Sequence, residues 1–214
     1  MTVTEALAAR HSFRAFLPTP VEADKLRAIL EAAQRAPSWA NSQPWEVFVA
    51  AGNALDRIKA GYAEKYAAGA LTDPESPRPA KWTDIAVERR TRLHPTMQLQ
   101  CGEAAEQFGK LNQIMFNAPA VIYICMDKDL SEWSMYDIGA YSQSLMLAAI
   151  QYGLGSIPSI TLTHFPDVLH KELGIPDNYR VTIGIATGYA DRQNRINDFV
   201  SERDSVDKVV RIPG

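Results

Sequence analysis

Cysteine is scarce in this chain. Cys101 and Cys125 are the two thiols in 214 residues, and they lie far apart in unrelated contexts. With no Cys-x-x-Cys and no Cys/His spacing, nothing suggests a zinc site or a dithiol redox motif. Cys125 sits in the apolar run AVIYICM and reads as a buried strand thiol, while Cys101 opens a helical stretch, so both are expected to be inert. The four histidines (His11, His94, His164 and His170) form no i, i+4 pair, and no protein-bound metal is expected. Charge of one sign is also lacking: 22 Lys and Arg against 25 Asp and Glu give a net charge of -3. That balance, with no basic stripe, argues against a nucleic-acid or membrane-surface role. No apolar run approaches the roughly 20 residues that cross a bilayer. The opening MTVTEALAAR is amphipathic and carries no signal h-region, so a cytoplasmic location is expected. Repeats, low-complexity tracts, a Ser/His/Asp set, a paired-carboxylate site and a G-x-G-x-x-G fingerprint are all missing.

What is present suits one well-packed domain spanning 1–214, with 46% hydrophobic residues. Thr2 and Glu5 have the spacing of a capping box for a first helix. Thr19-Pro20-Val21-Glu22 predicts a second helix start, with Thr19 as cap and an apolar stripe of Leu26, Ile29, Leu30 and Ala33. Strands are expected at Trp45–Ala51, Ala120–Met126, within GSIPSITL, and at Val181–Tyr189. The continuous apolar runs among them fit strands buried on both faces. Helices are expected at Asn53 to about Ala68, Ile85–Arg92, Met97–Phe116, Ser134–Tyr152, Asp167–Leu173 and in the closing VDKVVRI. LTDPESPRPAKW reads as a loop. Helices and strands interleave without an even βαβ rhythm. The class is therefore α+β, an α/β sandwich with a central mixed sheet flanked by helices. Ser134–Tyr152 is apolar on most sides, and such a helix needs cover from core or from a partner chain.

Two segments could carry chemistry. Arg10-His11-Ser12-Phe13-Arg14 puts two guanidiniums around a hydroxyl, which suits a phosphate monoester. The plainer reading is solvated cations at a helix C-terminus. Pro37-Ser38-Trp39-Ala40-Asn41-Ser42-Gln43-Pro44-Trp45 leads straight into a strand. Asn41 and Gln43 can both donate and accept, matching the alternating edge of a flavin pyrimidine ring. Its plainer reading is a turn.

In this order the two segments resemble the nitroreductase family. Its pattern R-x-S-x-R/K-x-F is met by Arg10, Ser12, Arg14 and Phe16, and P-S-x-x-N-x-Q-P-W by Pro37, Ser38, Asn41, Gln43, Pro44 and Trp45. Asn112 before FNAPAVIYIC, the segment GLGSIPSITL, and the tail from G-Y-A-D through Asn197 and Arg203 extend the likeness along nearly the whole chain. It is weakest between about residues 60 and 107. The resemblance implies a nitroreductase-like fold, a homodimer with sites at the subunit interface, bound FMN, and NAD(P)H as a transient reductant needing no Rossmann domain. It implies reduction of nitroaromatic or quinone-type small molecules by ping-pong two-electron transfer.

By the same resemblance Arg10, Ser12, Arg14 and Arg203 would grip the FMN phosphate and ribityl chain, with His11 beside them. Pro37, Ser38, Asn41 and Gln43 would approach the isoalloxazine across the dimer. Backbone amides of Ile160 and Thr161, after Pro158, would face flavin N5 and O4, and Asn112 would make a further contact. No side chain is expected to be catalytic, because the flavin carries the chemistry. Residues 60–107 are where such a family varies its lid. Here they offer Tyr62, Tyr66, Trp82, Arg89, Arg90 and Arg92, which with Trp39 make a candidate substrate cover, with an arginine available for an anionic substituent such as a carboxylate. The plainer reading is an exposed helix with solvated arginines. Other branches of the superfamily (flavin reductase, enone reductase, dehalogenase, the flavin-cannibalising branch) and a flavin-binding protein that never turns over are the alternatives. The Glu, Tyr and Lys set of the iodotyrosine deiodinases finds no clean match.

Overall fold

In a computed structural model, which describes residues 1–212, the chain forms α1 (Val3–Ala9), α2 (Ala23–Ala33), β1 (Glu46–Ala51), α3 (Gly52–Ala67), α4 (Asp84–Thr91), α5 (Leu93–Cys101), α6 (Phe108–Gln113), β2 (Ala120–Asp127), α7 (Glu132–Gln151), β3 (Gly155–Ser159), α8 (Pro166–Leu173), β4 (Tyr179–Gly188) and α9 (Val206–Val209). The four strands are ordered β1-β2-β4-β3, and every neighbouring pair is antiparallel. The expected mixed character is confined, among the described residues, to a single parallel bridge between Ser12 and Ser156. That bridge lays the first motif along the outer edge of β3.

Side-chain alternation splits the interior in two. On β2, Val121, Tyr123 and Cys125 face a core filled by α3, α5, α6 and α8, while Ile122, Ile124 and Met126 face α2 and α7. All seven residues from Ala120 to Met126 are buried, as a strand covered on both faces requires. Both thiols lie inside. Burial pushes the Cys125 thiol up to about 12 and raises that of Cys101, which keeps them protonated.

Several elements depart from the sequence pattern. Thr2 does cap α1, with Glu5 reciprocating at 2.7 Å. Thr19 does not cap α2; the helix begins at Ala23 with Glu22 at its cap position. The Glu22 carboxylate is drawn outward by the Tyr189 hydroxyl (2.6 Å) and the Lys25 ammonium (3.0 Å), which tie the helix start to the end of β4. The expected helix Met97–Phe116 is broken into α5, a 3₁₀ stretch Gly102–Gln107, α6 and a 3₁₀ turn Met115–Asn117. Gly102 and Phe116 have φ of 59°, a value that ends an α-helix. GSIPSITL pairs as a strand only through Ser159 and then turns through Ile160–Thr163. VDKVVRI is helical only over Val206–Val209.

Candidate functional site

The first motif is fixed by backbone and by one asparagine. Phe13 N–H donates to Ser156 O (3.1 Å), and the Phe13 ring lies where a Cβ on Gly155 would come within 2.7 Å of it. Only glycine fits at 155, which gives a packing reason for the Gly in GLGSIP. Asn197 holds the other side. Its Oδ1 accepts from Arg14 N–H (2.6 Å) and Ala15 N–H (3.1 Å), and its Nδ2 donates to Ala15 O (2.8 Å) and Asp191 O (2.9 Å). Asn197 O meets His11 Nε2 at 3.0 Å. Asn197 thus clamps the tail over the first motif.

Arg10, His11 and Ser12 are half-buried, whereas Arg14 is turned inward. The Arg14 guanidinium lies 4.8 Å from the Phe199 ring and 6.0 Å from that of Phe108, and Nη1 donates to Ser12 O (2.6 Å). Burial draws it down to about 10, so it remains a cation at neutral pH. Arg14 thus carries its charge inside the fold, beside the Phe199 and Phe108 rings, while Arg10 is half-buried. Arg14 Nε and Ser156 Oγ, on the two segments joined by the bridge, are buried without a hydrogen-bond partner.

The second motif is strained and outward-facing. Ala40, Asn41 and Gln43 have φ of 50°, 56° and 47°, in the left-handed region that side chains rarely adopt. The loop is braced: Trp39 N–H donates to the buried Asp137 carboxylate (3.1 Å), and Gln43 N–H to Ser38 Oγ (3.0 Å). Pro37, Asn41 and Gln43 are exposed and Ser38 is half-buried. Trp39 is 70% exposed, with Trp133 (66%) and Tyr136 (74%) of α7 beside it; the two indoles are 6.3 Å apart. An apolar aromatic surface of this kind marks an interaction face.

Pro158 lies in the edge strand β3, where a missing N–H breaks no inner ladder. In the turn after it, Thr161 N–H is engaged by Ser159 Oγ (3.3 Å), and Thr161 Oγ1 donates to Asn112 Oδ1 (3.3 Å). Asn112 Nδ2 donates to Phe108 O (2.7 Å). Asn112 and Thr161 therefore link α6 to this turn.

The candidate cover divides. Tyr62 is core: 1% exposed, its hydroxyl donates to Leu162 O at 2.7 Å. Tyr66 is half-buried, with its hydroxyl 2.9 Å from His164 Nδ1. Both tyrosines stand on α3, which packs on α8 and the sheet, so these residues form a wall below the turn and not a lid. Trp82, by contrast, is exposed and stacks under the Arg90 guanidinium at 4.2 Å. Arg89 and Arg92 both reach Asp204 of the tail, at 2.7 and 3.3 Å. They are neither free nor merely solvated. Arg203 is exposed and donates to Ser201 and Glu202 of its own tail. Together with Arg89, Arg92, Leu93 and Phe199 it lines a cavity of about 350 Å³.

Sequence reasoning overlooked Asp137 and Phe199. Asp137 was hidden inside a greasy helix, where an isolated acid is itself a signal. Phe199, in a polar tail, carried no periodic signal.

This fold and these motifs define a family, and a family profile described as Nitroreductase family matches residues 7–189. The chain belongs to the nitroreductase family. Among its relatives is Nitroreductase NfnB of Mycolicibacterium smegmatis, 30% identical over 208 residues, covering 94% of this chain and 88% of that protein. The 4-nitrobenzoate reductase of Pseudomonas putida is 29% identical, covering 92% and 89%. Among solved structures, the FMN and NADPH-dependent nitroreductase NfnB from sphigopyxis sp. strain HMH superposes over 100% of both chains with a TM-score of 0.92 at 29% identity.

Proposed function

We propose that this chain is an oxidoreductase that binds FMN, takes hydride from NAD(P)H and reduces nitroaromatic or quinone-type small molecules as a homodimer. The observation that carries this reading is the full-length likeness to an FMN and NADPH-dependent nitroreductase, with both motifs present in this chain. The residues fit the cofactor. Two buried polar atoms without partners, Arg14 Nε and Ser156 Oγ, lie where the first motif meets β3, as an acceptor-rich ligand there would require.

When bound, FMN would supply two-electron redox chemistry between a nicotinamide and an oxidant, one hydride equivalent for nitro to nitroso and a second for nitroso to hydroxylamine. The chain's own work is binding and orientation. Arg10 and Arg203 would neutralise the phosphate end and Ser12 would add a neutral hydrogen bond, with His11 alongside and buried Arg14 adding positive charge from beneath. Pro37, Ser38, Asn41 and Gln43 meet the ring of the other subunit's cofactor, which explains why a strained loop is held outward by Asp137. Pro158 and Ile160 border the ring, and Asn112 and Thr161 set the height of that turn. Within about residues 60–107, the outward part would form the substrate cover, with exposed Trp82 as a wall. The aromatic face of Trp39, Trp133 and Tyr136 is buried by the partner.

The test is direct. Purified protein should be yellow, elute as a dimer, bleach when NADPH is added under anaerobic conditions and regain colour with a nitroarene. A colourless monomer indifferent to added FMN contradicts the proposal.

A further inference from the structure

The lid and the tail meet through an arrangement that resembles an occupied anion site. Arg89 gives Nε (2.8 Å) and Nη2 (2.7 Å) to one oxygen of Asp204, and Arg92 gives Nη2 (3.3 Å) to the other. Two guanidiniums thus share one carboxylate. Among the described residues Arg92 meets acids through Nη2 alone, at Asp204 and, at 4.0 Å, Glu88. Arg203 enters the same cavity, and its side-chain bonds go to neutral oxygens of its own tail. The cavity lining therefore holds three arginines against Glu202 and Asp204, with Leu93, Phe199 and Val209 as apolar walls. The arginines hold the Asp204 carboxyl below its usual range, the Arg89 bond contributing most.

We propose that this lid–tail cavity is a binding site for an oxyanion carried by an incoming ligand, a carboxylate or a phosphate monoester, with Arg89 and Arg92 as its donors. The proposal rests on the reading of the chain as an FMN enzyme, because the ligand is one of the two molecules that exchange over the flavin. Planar, bidentate guanidiniums beside an apolar wall suit an anionic group attached to an aromatic body. Two ligands have this chemistry: the adenosine 2′-phosphate of NADPH, absent from NADH, and the carboxylate of an aromatic substrate. Asp204 engages both donors and would yield one of them to the ligand.

The experiment is isothermal calorimetry on the FMN-loaded protein, titrated separately with benzoate and with adenosine 2′-phosphate. Wild type should bind one of the two, identifying the source. Replacing both arginines (Arg89→Gln with Arg92→Gln) should weaken that binding at least about tenfold, since each charged hydrogen bond is worth about 1.5–3 kcal/mol. The charge-keeping pair (Arg89→Lys with Arg92→Lys) should restore part of it, which a general loosening of the tail would not allow. Binding of neither oxyanion to wild type overturns the proposal, as does undiminished binding to the glutamine pair. Loss of FMN from the glutamine pair also overturns it, by assigning the cavity to the cofactor's own phosphate. Failure of the chain to bind FMN at all is a different result, visible before any titration, and strikes the parent reading.

Discussion

Asn197 does more for the site than any side chain that would touch a ligand. Its amide makes four hydrogen bonds that fasten the tail to Arg14, Ala15 and Asp191, and it is buried. Asn197→Ala should cost about 2–4 kcal/mol in a denaturant titration, because it strands several buried backbone groups at once. It should also weaken FMN retention. A loss below 1 kcal/mol would show the tail to be held by other means. Gly155→Ala is the complementary case: its new Cβ would meet the Phe13 ring at 2.7 Å, so overpacking of about 1–3 kcal/mol is expected in the same titration. At this scale the sequence was legible in residue type and illegible in direction. Arg10, Ser12 and Arg14 are spaced as the pattern says, yet nothing local indicates that Arg14 turns into an aromatic sandwich with Phe108 and Phe199, which are distant in the chain. Tyr62 was misread for a related reason. A tyrosine on a weakly amphipathic helix looks like a wall of a site until the turn at Leu162 is seen to cover it.

Among elements, the proline-rich loop of about residues 69–83 shows how an irregular segment is held. Asp73 N–H donates to His164 O, and Arg78 Nη2 lies 3.1 Å from His164 Nε2 while Tyr66 takes Nδ1. Burial, aided by the Arg78 charge, holds the His164 imidazole below its ordinary value. The folded chain thus favours the neutral ring, and the unfolded chain takes up the proton first. Its contribution is complete above pH 6.5 and is lost as the pH falls. The protection factor of the Asp73 amide, with intrinsic exchange divided out, should fall below that pH, and His164→Gln should remove the dependence; a protection factor in wild type that does not change with pH would contradict this anchoring role. Strand positions were well marked because β-branched runs bounded by Pro119 and Asp127 leave few alternatives. The break in Met97–Phe116 was not, since left-handed Phe116 carries no local signal and its φ of 59° is set by packing. The start of α2 was misplaced for a similar reason: Tyr189, far along the chain, engages the Glu22 carboxylate.

The whole molecule has two cores on one antiparallel sheet and an aromatic face that neither core covers. The apolar residues that made α7 read as a helix needing cover, among them Ile138, Leu145, Met146 and Ala149, are buried in this chain's own core, and Trp133 and Tyr136 stand outside it. If the face is the dimer interface, as proposed, a double substitution, Trp133→Glu with Tyr136→Glu, should shift the protein toward monomer in sedimentation and lower FMN occupancy in parallel, since the proposal sets the neighbouring strained loop against the other subunit's cofactor. A dimer that persists with full flavin content would move the interface elsewhere. The central claim is the redox cycle itself. Anaerobic stopped-flow on the FMN-loaded protein should show NADPH bleaching the flavin, then reoxidation by a nitroarene or quinone at a rate matching turnover. A flavin that bleaches but is reoxidised by neither acceptor, or that NADPH and NADH leave oxidised, would contradict the account.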